Sequence, residues 1–298
     1  MRDFIYIVTK EDAQKELPIR ELLRQNFSFS SRLRTKLKKH KSVYLNGESV
    51  PGWITPKAGD EIKIFIPEEQ SHFPPEPIPI DPVFEDTDLL IINKQPGVIV
   101  HPTSGHPIHT IANGVTQYMI DTNQSFKIRF VNRLDMDTSG LLVLGKNSHA
   151  QDDYVKQMQK NQVEKRYVAI VKGIIEEDGT VDAPLGRPDP ERVQRGVMEG
   201  GKPSITHYKV LERFDKGYTM VELLLETGRT HQIRVHMSHI GHPIVGDHLY
   251  GGENINLIGR QALHAKALSF NHPVTGKRLE LSADLPQDME DLLQLLRK

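Results

Sequence analysis

Residues 129–147 read RFVNRLDMDTSGLLVLGKN. FVNRLD reads as a strand, Thr138-Ser139-Gly140 as a turn, and LLVLGK as the apolar strand that leaves it. An acid at the end of a strand and beside a tight turn is firmly held and can face a surface cleft, and Asp135 occupies that position. The plainer reading of the same pattern is that Asp135 only caps the turn. On either side, VFEDTDLLIINK, YVAIVKG, HYKVL and YTMVELLLE repeat the theme of short apolar runs, most with a period of two, bounded by Gly, Asp or Asn. Helical stretches are fewer, at 148–161, 230–240 and 286–297. A doubly wound fold would need helices between nearly all strands, so the pattern predicts an α+β domain: a largely antiparallel mixed sheet with flanking helices.

Upstream, PEEQSHFPPEPIPIDP at 67–82 holds six prolines in 16 residues. Proline fixes φ and removes a backbone donor, so this run predicts an extended, semi-stiff linker. It divides the chain into residues 1–66, the linker 67–82, and residues 83–298. The first piece is strongly basic in its middle. Between Arg20 and Lys41 lie eight cations (Arg20, Arg24, Arg32, Arg34, Lys36, Lys38, Lys39, Lys41) and one acid, Glu21, a local balance of +7. Leu17, Leu22 and Leu23 predict one short helix, and Leu33 and Leu37 a second that Ser30 or Ser31 would cap. VYLNGESV then reads as a hairpin turning at Asn46-Gly47, and GDEIKIFI as a strand, which makes the piece a small α+β unit. A basic helix followed by a hairpin suits a reader of phosphate backbones. A solvated surface helix is the alternative on charge alone.

Composition narrows the chemistry. The chain of 298 residues has no cysteine, which excludes disulfides, thiolate metal sites and cysteine nucleophiles. Its 38 basic and 39 acidic residues leave a formal charge of −1, so the +7 segment is hidden in the total. MRDFIYIVTK has too short an apolar run for a signal peptide, and no stretch approaches the roughly 18 apolar residues of a membrane span. A cytoplasmic location away from membranes is the expectation. GVMEGGK at 196–202 imitates a phosphate-binding loop, but Pro203 replaces the hydroxyl residue that would hold magnesium and no apolar strand precedes it. His231, His236, His239, His242 and His248 cluster late, without ligands at the offsets of helical zinc motifs, so packing and polar contacts are expected of them and no metal.

With these residues in view, 129–147 resembles the catalytic signature of the RluA-type RNA pseudouridine synthases, His-Arg-Leu-Asp-x-x-Thr-Ser-Gly-Leu-Leu, and in particular of RluD-like members. Arg133, Leu134, Asp135, Thr138, Ser139 and Gly140 stand where the family has them, while Asn132 replaces the usual His. The resemblance runs along residues 80–285, through EDTDLLIINKQPGVIVHP (Gln95 replacing a common proline), VEKRYVAIVKG, GGKPSITHYKVL, LLETGRTHQIRVHMSHIGHPIVGDHLYG, QALHAKALSF and HPVTGKRL. Residues 17–66 resemble the alpha-L RNA-binding motif of a small-subunit ribosomal protein. These resemblances imply an RNA-binding domain (Arg32, Arg34, Lys36, Lys38, Lys39 and Lys41) attached to a pseudouridine synthase domain. Such an isomerase detaches uracil from its ribose, rotates it and rejoins it through a ring carbon, with no cofactor and no metal.

The resemblance further implies that Asp135 is the catalytic carboxylate, as nucleophile or as base. Burial favours the neutral acid, and Arg229 is the expected ion-pair partner that opposes this. Tyr167 matches the aromatic that stacks on the target base, and Arg133 the residue that fills the place of a flipped nucleotide. Ribosomal RNA of the large subunit is the expected substrate, with tRNA the alternative, and a monomer the expected assembly. Two rival readings stand beside it: a non-catalytic RNA-binding or ribosome-assembly factor of the same fold, and a hydrolase pairing Asp135 with Asp137. Release of a free base or sugar would mark the second.

Overall fold

Local signals build the first 66 residues. Thr9 and Asp12 form a reciprocal capping box, Ser30 accepts the Leu33 amide, and Asn46-Gly47 take the positive φ angles (50° and 89°) of a two-residue hairpin turn. In the computed structural model, which describes residues 3–27, 29–66, 71–252 and 257–298, the result is β1 (Asp3–Ile7), α1 (Lys10–Gln14), α2 (Ile19–Asn26), α3 (Ser31–Lys39), β2 (Val43–Leu45), β3 (Glu48–Ser49) and β4 (Glu61–Phe65). The strands form one sheet in the order β1-β4-β2-β3. Its core is Phe4, Ile19, Leu22, Leu33, Leu37, Ile62 and Ile64. MRDFIYIVTK therefore starts an edge strand and a capped helix, neither of which its short apolar run announces.

The linker is not a free tether. Residues 71–81 form no helix or strand, yet Phe73, Ile78 and Ile80 pack on the main core. Backbone and side-chain donors hold it as well. The Ile128 amide donates to Ser71 Oγ at 2.8 Å, Asn113 Nδ2 to the Pro74 carbonyl at 2.9 Å and Gln95 Nε2 to the Pro79 carbonyl at 3.1 Å. Residues 67–70 lie outside the described residues.

The second sheet is built from β5 (Pro82–Glu85), β6 (Leu89–Lys94), β7 (Ser139–Gly145), β8 (Glu164–Lys172), β9 (Gly179–Asp182), β12 (Ile205–Phe214), β13 (Tyr218–Leu225), β14 (Leu263–Asn271) and β15 (Arg278–Ser282). Between β9 and β12, β10 (Leu185–Gly186) and β11 (Gly196–Val197) pair separately. The helices are α4 (Ile111–Asp121), α5 (Ser148–Gln159), α6 (Gln232–His239) and α7 (Gln287–Leu296). The nine strands run β5-β6-β7-β14-β8-β13-β12-β9, with β15 on β14, and every pairing but β7 with β14 is antiparallel. This is the mixed, largely antiparallel α+β sheet with flanking helices that the pattern predicts. Because both faces are covered, central strands are apolar throughout. Along β6, Leu90 and Ile92 pack with α4, α6 and α7, while Leu89 and Ile91 pack with Tyr154 of α5 and Phe270.

Two sequence expectations change. VFEDTDLLIINK is two strands, because Asp86 Oδ1 accepts the amides of Asp88 and Leu89, both at 2.8 Å, and folds the chain back. FVNRLD is not a strand. Phe130 bridges to Leu144 and the Val131 amide donates to the Val143 carbonyl at 3.0 Å before the backbone pairing stops, and the turn lies at 135–138, where the Thr138 amide donates to the Asp135 carbonyl at 3.1 Å. Ser139 and Gly140 belong to β7. Gly140, at φ +109°, sits where a Cβ would meet the Ala265 carbonyl oxygen at 2.4 Å, so only glycine lets β7 approach β14 here.

Candidate active site

Asp135 is held by its loop. Upstream, the Asn132 side chain replaces missing strand pairing: its Nδ2 donates to the Leu141 carbonyl at 3.2 Å, and its Oδ1 accepts the Val143 amide at 2.8 Å. Asn132 therefore packs the loop, the property that its departure from the family's histidine placed in question. Downstream, Lys94 at the end of β6 donates Nζ to the carbonyls of Gln95 (2.7 Å) and Met136 (2.8 Å). Lys94 is fully buried, and that burial outweighs the attraction of Asp137 and Asp135 and brings its pKa down to about 7. Arg260 donates Nη1 to the Asp137 carbonyl at 2.9 Å and is itself held by Asp288 at 2.6 and 2.8 Å.

The guanidinium paired with Asp135 is Arg234, and this corrects the expected pairing with Arg229. Arg234 Nη1 donates to Asp135 Oδ2 at 3.1 Å, while its Nε and Nη2 grip the fully buried Asp247 at 2.7 and 2.9 Å. Burial works against the Arg234 charge, but the Asp247 hydrogen bonds and the charges of Asp247 and Asp135 carry its pKa above arginine's ordinary range. Arg229 lies in the loop before α6 and donates Nε to the Pro203 carbonyl at 3.3 Å. The reason is helix phase. Gln232 opens α6, its Oε1 accepting the Arg229 amide (2.9 Å) and Thr227 Oγ1 (2.8 Å), so Arg229 stays outside while Arg234 turns inward.

Tyr167 on β8 is buried, and burial together with the Asp135 charge pushes its phenol above the ordinary range, so it stays neutral. His231, in a left-handed conformation (φ 58°) just before α6, places Nε2 3.9 Å from Asp135 Oδ2 and Nδ1 2.8 Å from the Tyr250 hydroxyl. Burial lowers its pKa despite the nearby carboxylate. Of the late histidines, His236 bonds Thr206 Oγ1 (2.9 Å) and the Ala183 carbonyl (3.0 Å), and His242 the Lys172 carbonyl (2.9 Å), as packing residues do.

Asp135, Tyr167, Arg133 and Arg229 line a cavity of about 930 Å³, and the same four border an inner recess of about 60 Å³ beside Arg234. Lys165 lines the larger cavity, and burial and the Arg229 charge both lower its pKa. Of the basic N-terminal residues, the structure brings Arg32 and Lys36 to this cavity. Arg34 turns back on Phe29 and Ser31, at 2.5 and 2.9 Å, and Lys38, Lys39 and Lys41 are exposed. Among the described residues one cluster has metal-like spacing: Asp86, Asp88 and His272. There His272 Nδ1 accepts the amides of Val274 and Thr275, so Nε2 carries the proton it gives to Asp86 (2.7 Å) and is not free to ligate.

An arginine-held carboxylate beside a neutral buried phenol, at the base of a cavity walled by cations, defines a site for nucleophilic or acid–base work on a polyanionic substrate. Residues 88–239 match the family model described as RNA pseudouridylate synthase. The chain is 42% identical over 261 residues, 86% of each chain, to an uncharacterized RNA pseudouridine synthase of Bacillus subtilis. It is 41% identical over 243 residues (77% of this chain, 74% of the other) to the ribosomal large subunit pseudouridine synthase D of Escherichia coli K12. A solved human RNA pseudouridylate synthase domain containing 1 superposes with a TM-score of 0.56 at 29% identity, over 75% of this chain and 97% of that one. The chain belongs to the RNA pseudouridylate synthase family and is an isomerase of uridine in RNA.

Among the site residues, Arg234, Asp247, Lys94 and His231 were not read from the sequence as site residues. A signal for Arg234 exists: it is a lone cation between the apolar Ile233 and Val235 of a helix. Among the described residues no helix is long and apolar enough to cross a membrane.

Proposed function

We propose that this enzyme converts specific uridines of large-subunit ribosomal RNA to pseudouridine, with Asp135 as the catalytic carboxylate. The observation that carries the assignment is the Asp135–Arg234 pair at the base of the cationic cavity beside Tyr167. The ribosomal substrate is favoured by the name and 41% identity of the Escherichia coli relative. In the reaction the N1–C1′ bond of uridine breaks, a C5–C1′ bond forms, and the proton lost from C5 is balanced by one gained at N1. Asp135 acts as nucleophile or as base, Arg234 keeps it ionised and oriented, and Tyr167 stacks on the flipped base as a neutral phenol. Arg133 fills the vacated stack, and Arg229 faces the RNA phosphates. Residues 1–66 form an RNA-binding domain, joined through 67–82 to the catalytic domain 83–298. The enzyme works as a monomer in the cytoplasm, away from membranes, and needs no cofactor or metal; the isomerisation is redox-neutral and so calls for no electron carrier.

The test is tritium release from unmodified large-subunit ribosomal RNA transcribed with 5-tritiated uridine. Wild-type protein is expected to release tritium at discrete positions, and Asp135→Asn to release none while binding the same RNA. Binding without release by the wild type would instead identify an RNA-binding or assembly factor.

A further inference from the structure

We propose that α3 of the N-terminal unit forms the second wall of the active-site cleft, so that Arg32 and Lys36 hold phosphates of the very RNA segment that carries the target uridine. This rests on the pseudouridylation assignment and goes beyond it, because a basic domain on a proline linker could equally read a remote RNA element.

Three observations carry the inference. First, the N-terminal unit is seated on the catalytic sheet by a formed contact. His149 of α5, 4% exposed, meets the edges of Phe4 and Phe29 with ring centroids 5.3 Å away in each case. Beside it Ser30 Oγ donates to the Asp152 carboxylate, and Val274 packs on the N-terminal core. Second, that seating aims α3. Ser30 is the residue that caps the helix, and Arg32 and Lys36, one turn apart, line the same cavity as Asp135 and Tyr167. Third, the catalytic domain's share of the lining is also cationic. Arg133, Lys165 and Arg229 belong to it, and burial, then the Arg229 charge, works against the charge on Lys165. A cleft of about 930 Å³ lined by cations from both units suits a phosphate-bearing strand lying between them.

The experiment compares wild type with Arg32→Ala/Lys36→Ala on two RNAs: unmodified large-subunit ribosomal RNA, and a short hairpin of roughly 20 nucleotides, cut around a uridine that the wild type modifies, with few phosphates beyond the cleft. Arg32 is exposed, Lys36 is half-buried with its Nζ covered, and thermal unfolding verifies that the variant folds. KM is expected to rise on both RNAs by a similar factor, on the order of tenfold, with kcat nearly unchanged. The log–log salt slope of hairpin binding should fall by about 1.4, as two lost single-strand phosphate contacts require. A photo-crosslinker at position 32 should label nucleotides adjacent to the modified uridine. A KM effect confined to the long RNA, or crosslinks confined to a distant element, would overturn the proposal, as would unchanged kinetics on both. A wild type that modifies neither RNA would overturn the functional assignment instead.

Discussion

Arg234 offers the sharpest test of how the site is built. It is 4% exposed and holds two carboxylates at once, Asp247 through Nε and Nη2 and Asp135 through Nη1. Arg234→Met keeps an apolar stem of similar shape but removes the fork. Among the described residues, Asp247, fully buried, would then retain only the Leu249 amide at 3.1 Å. Breaking a buried pair from one side costs about 3–5 kcal/mol, because the surviving charge is left uncompensated. At an unfolding entropy of about 2.1 cal/mol/K per residue, that is a Tm loss of roughly 5–8 °C for a chain of this length unfolding as one unit. Asp135 loses a charge-assisted hydrogen bond worth about 1.5–3 kcal/mol, which predicts a 10- to 150-fold fall in the rate of tritium release. The double variant Arg234→Met/Asp247→Asn separates the two effects. Neither charge remains, the Asn oxygen still accepts the Leu249 amide, and Tm should largely recover while the rate stays low. Calorimetry and single-turnover assays read both quantities. A single variant as stable as wild type, or a double variant that regains the rate, would refute the view that one guanidinium both compensates Asp247 and positions Asp135.

Lys94→Met probes the support beneath the loop through pH. Its folded pKa of about 7 lies below the unfolded value of 10.5, so the unfolded chain binds more protons between these limits and the lysine makes stability rise with pH there, by up to about 1.4 kcal/mol per unit. Urea titrations from about pH 6 to 10 should show that rise in wild type and its loss in the variant, whereas a constant difference between the two would clear Lys94. Asn132→Ala should leave the Val143 amide and Leu141 carbonyl unmatched and cost about 1–3 kcal/mol. Its tritium release per folded molecule should stay close to wild type, and a large rate loss at unchanged stability would mean that Asn132 meets the RNA directly.

What the sequence discloses, and what it withholds, follows from the range of the interactions. Apolar alternation and turn chemistry are local, and they mark β6, β7, β8, β12, β13 and the NG hairpin with little error in position. The segment 130–135 defeats them because beyond Val131 its pairing passes to the Asn132 side chain, which no periodicity records. Helix α4 escapes them for a related reason: its glycine and β-branched residues weaken propensity, and its stability comes from burying Ile111, Val115 and Met119 on the sheet. The sequence points to Asp135 and Tyr167 because their motifs are contiguous, but it does not point to Arg234, the guanidinium that the fold sets on Asp135. Arg229 and Arg234 stand in the same motif, five residues apart, and both are cations at one end of a helix. Only the left-handed His231 and the anchoring of Gln232 set where the first helical turn begins, and thereby which arginine points inward. The joining of α3 to the cleft is a step more remote still. It depends on His149 and Asp152, residues that read as an ordinary stretch of surface helix until Phe4, Phe29 and Ser30 are placed against them. Charge counting found the +7 segment but not its direction, and direction separates a cation that merely attracts RNA from one that can hold the strand at the reacting uridine.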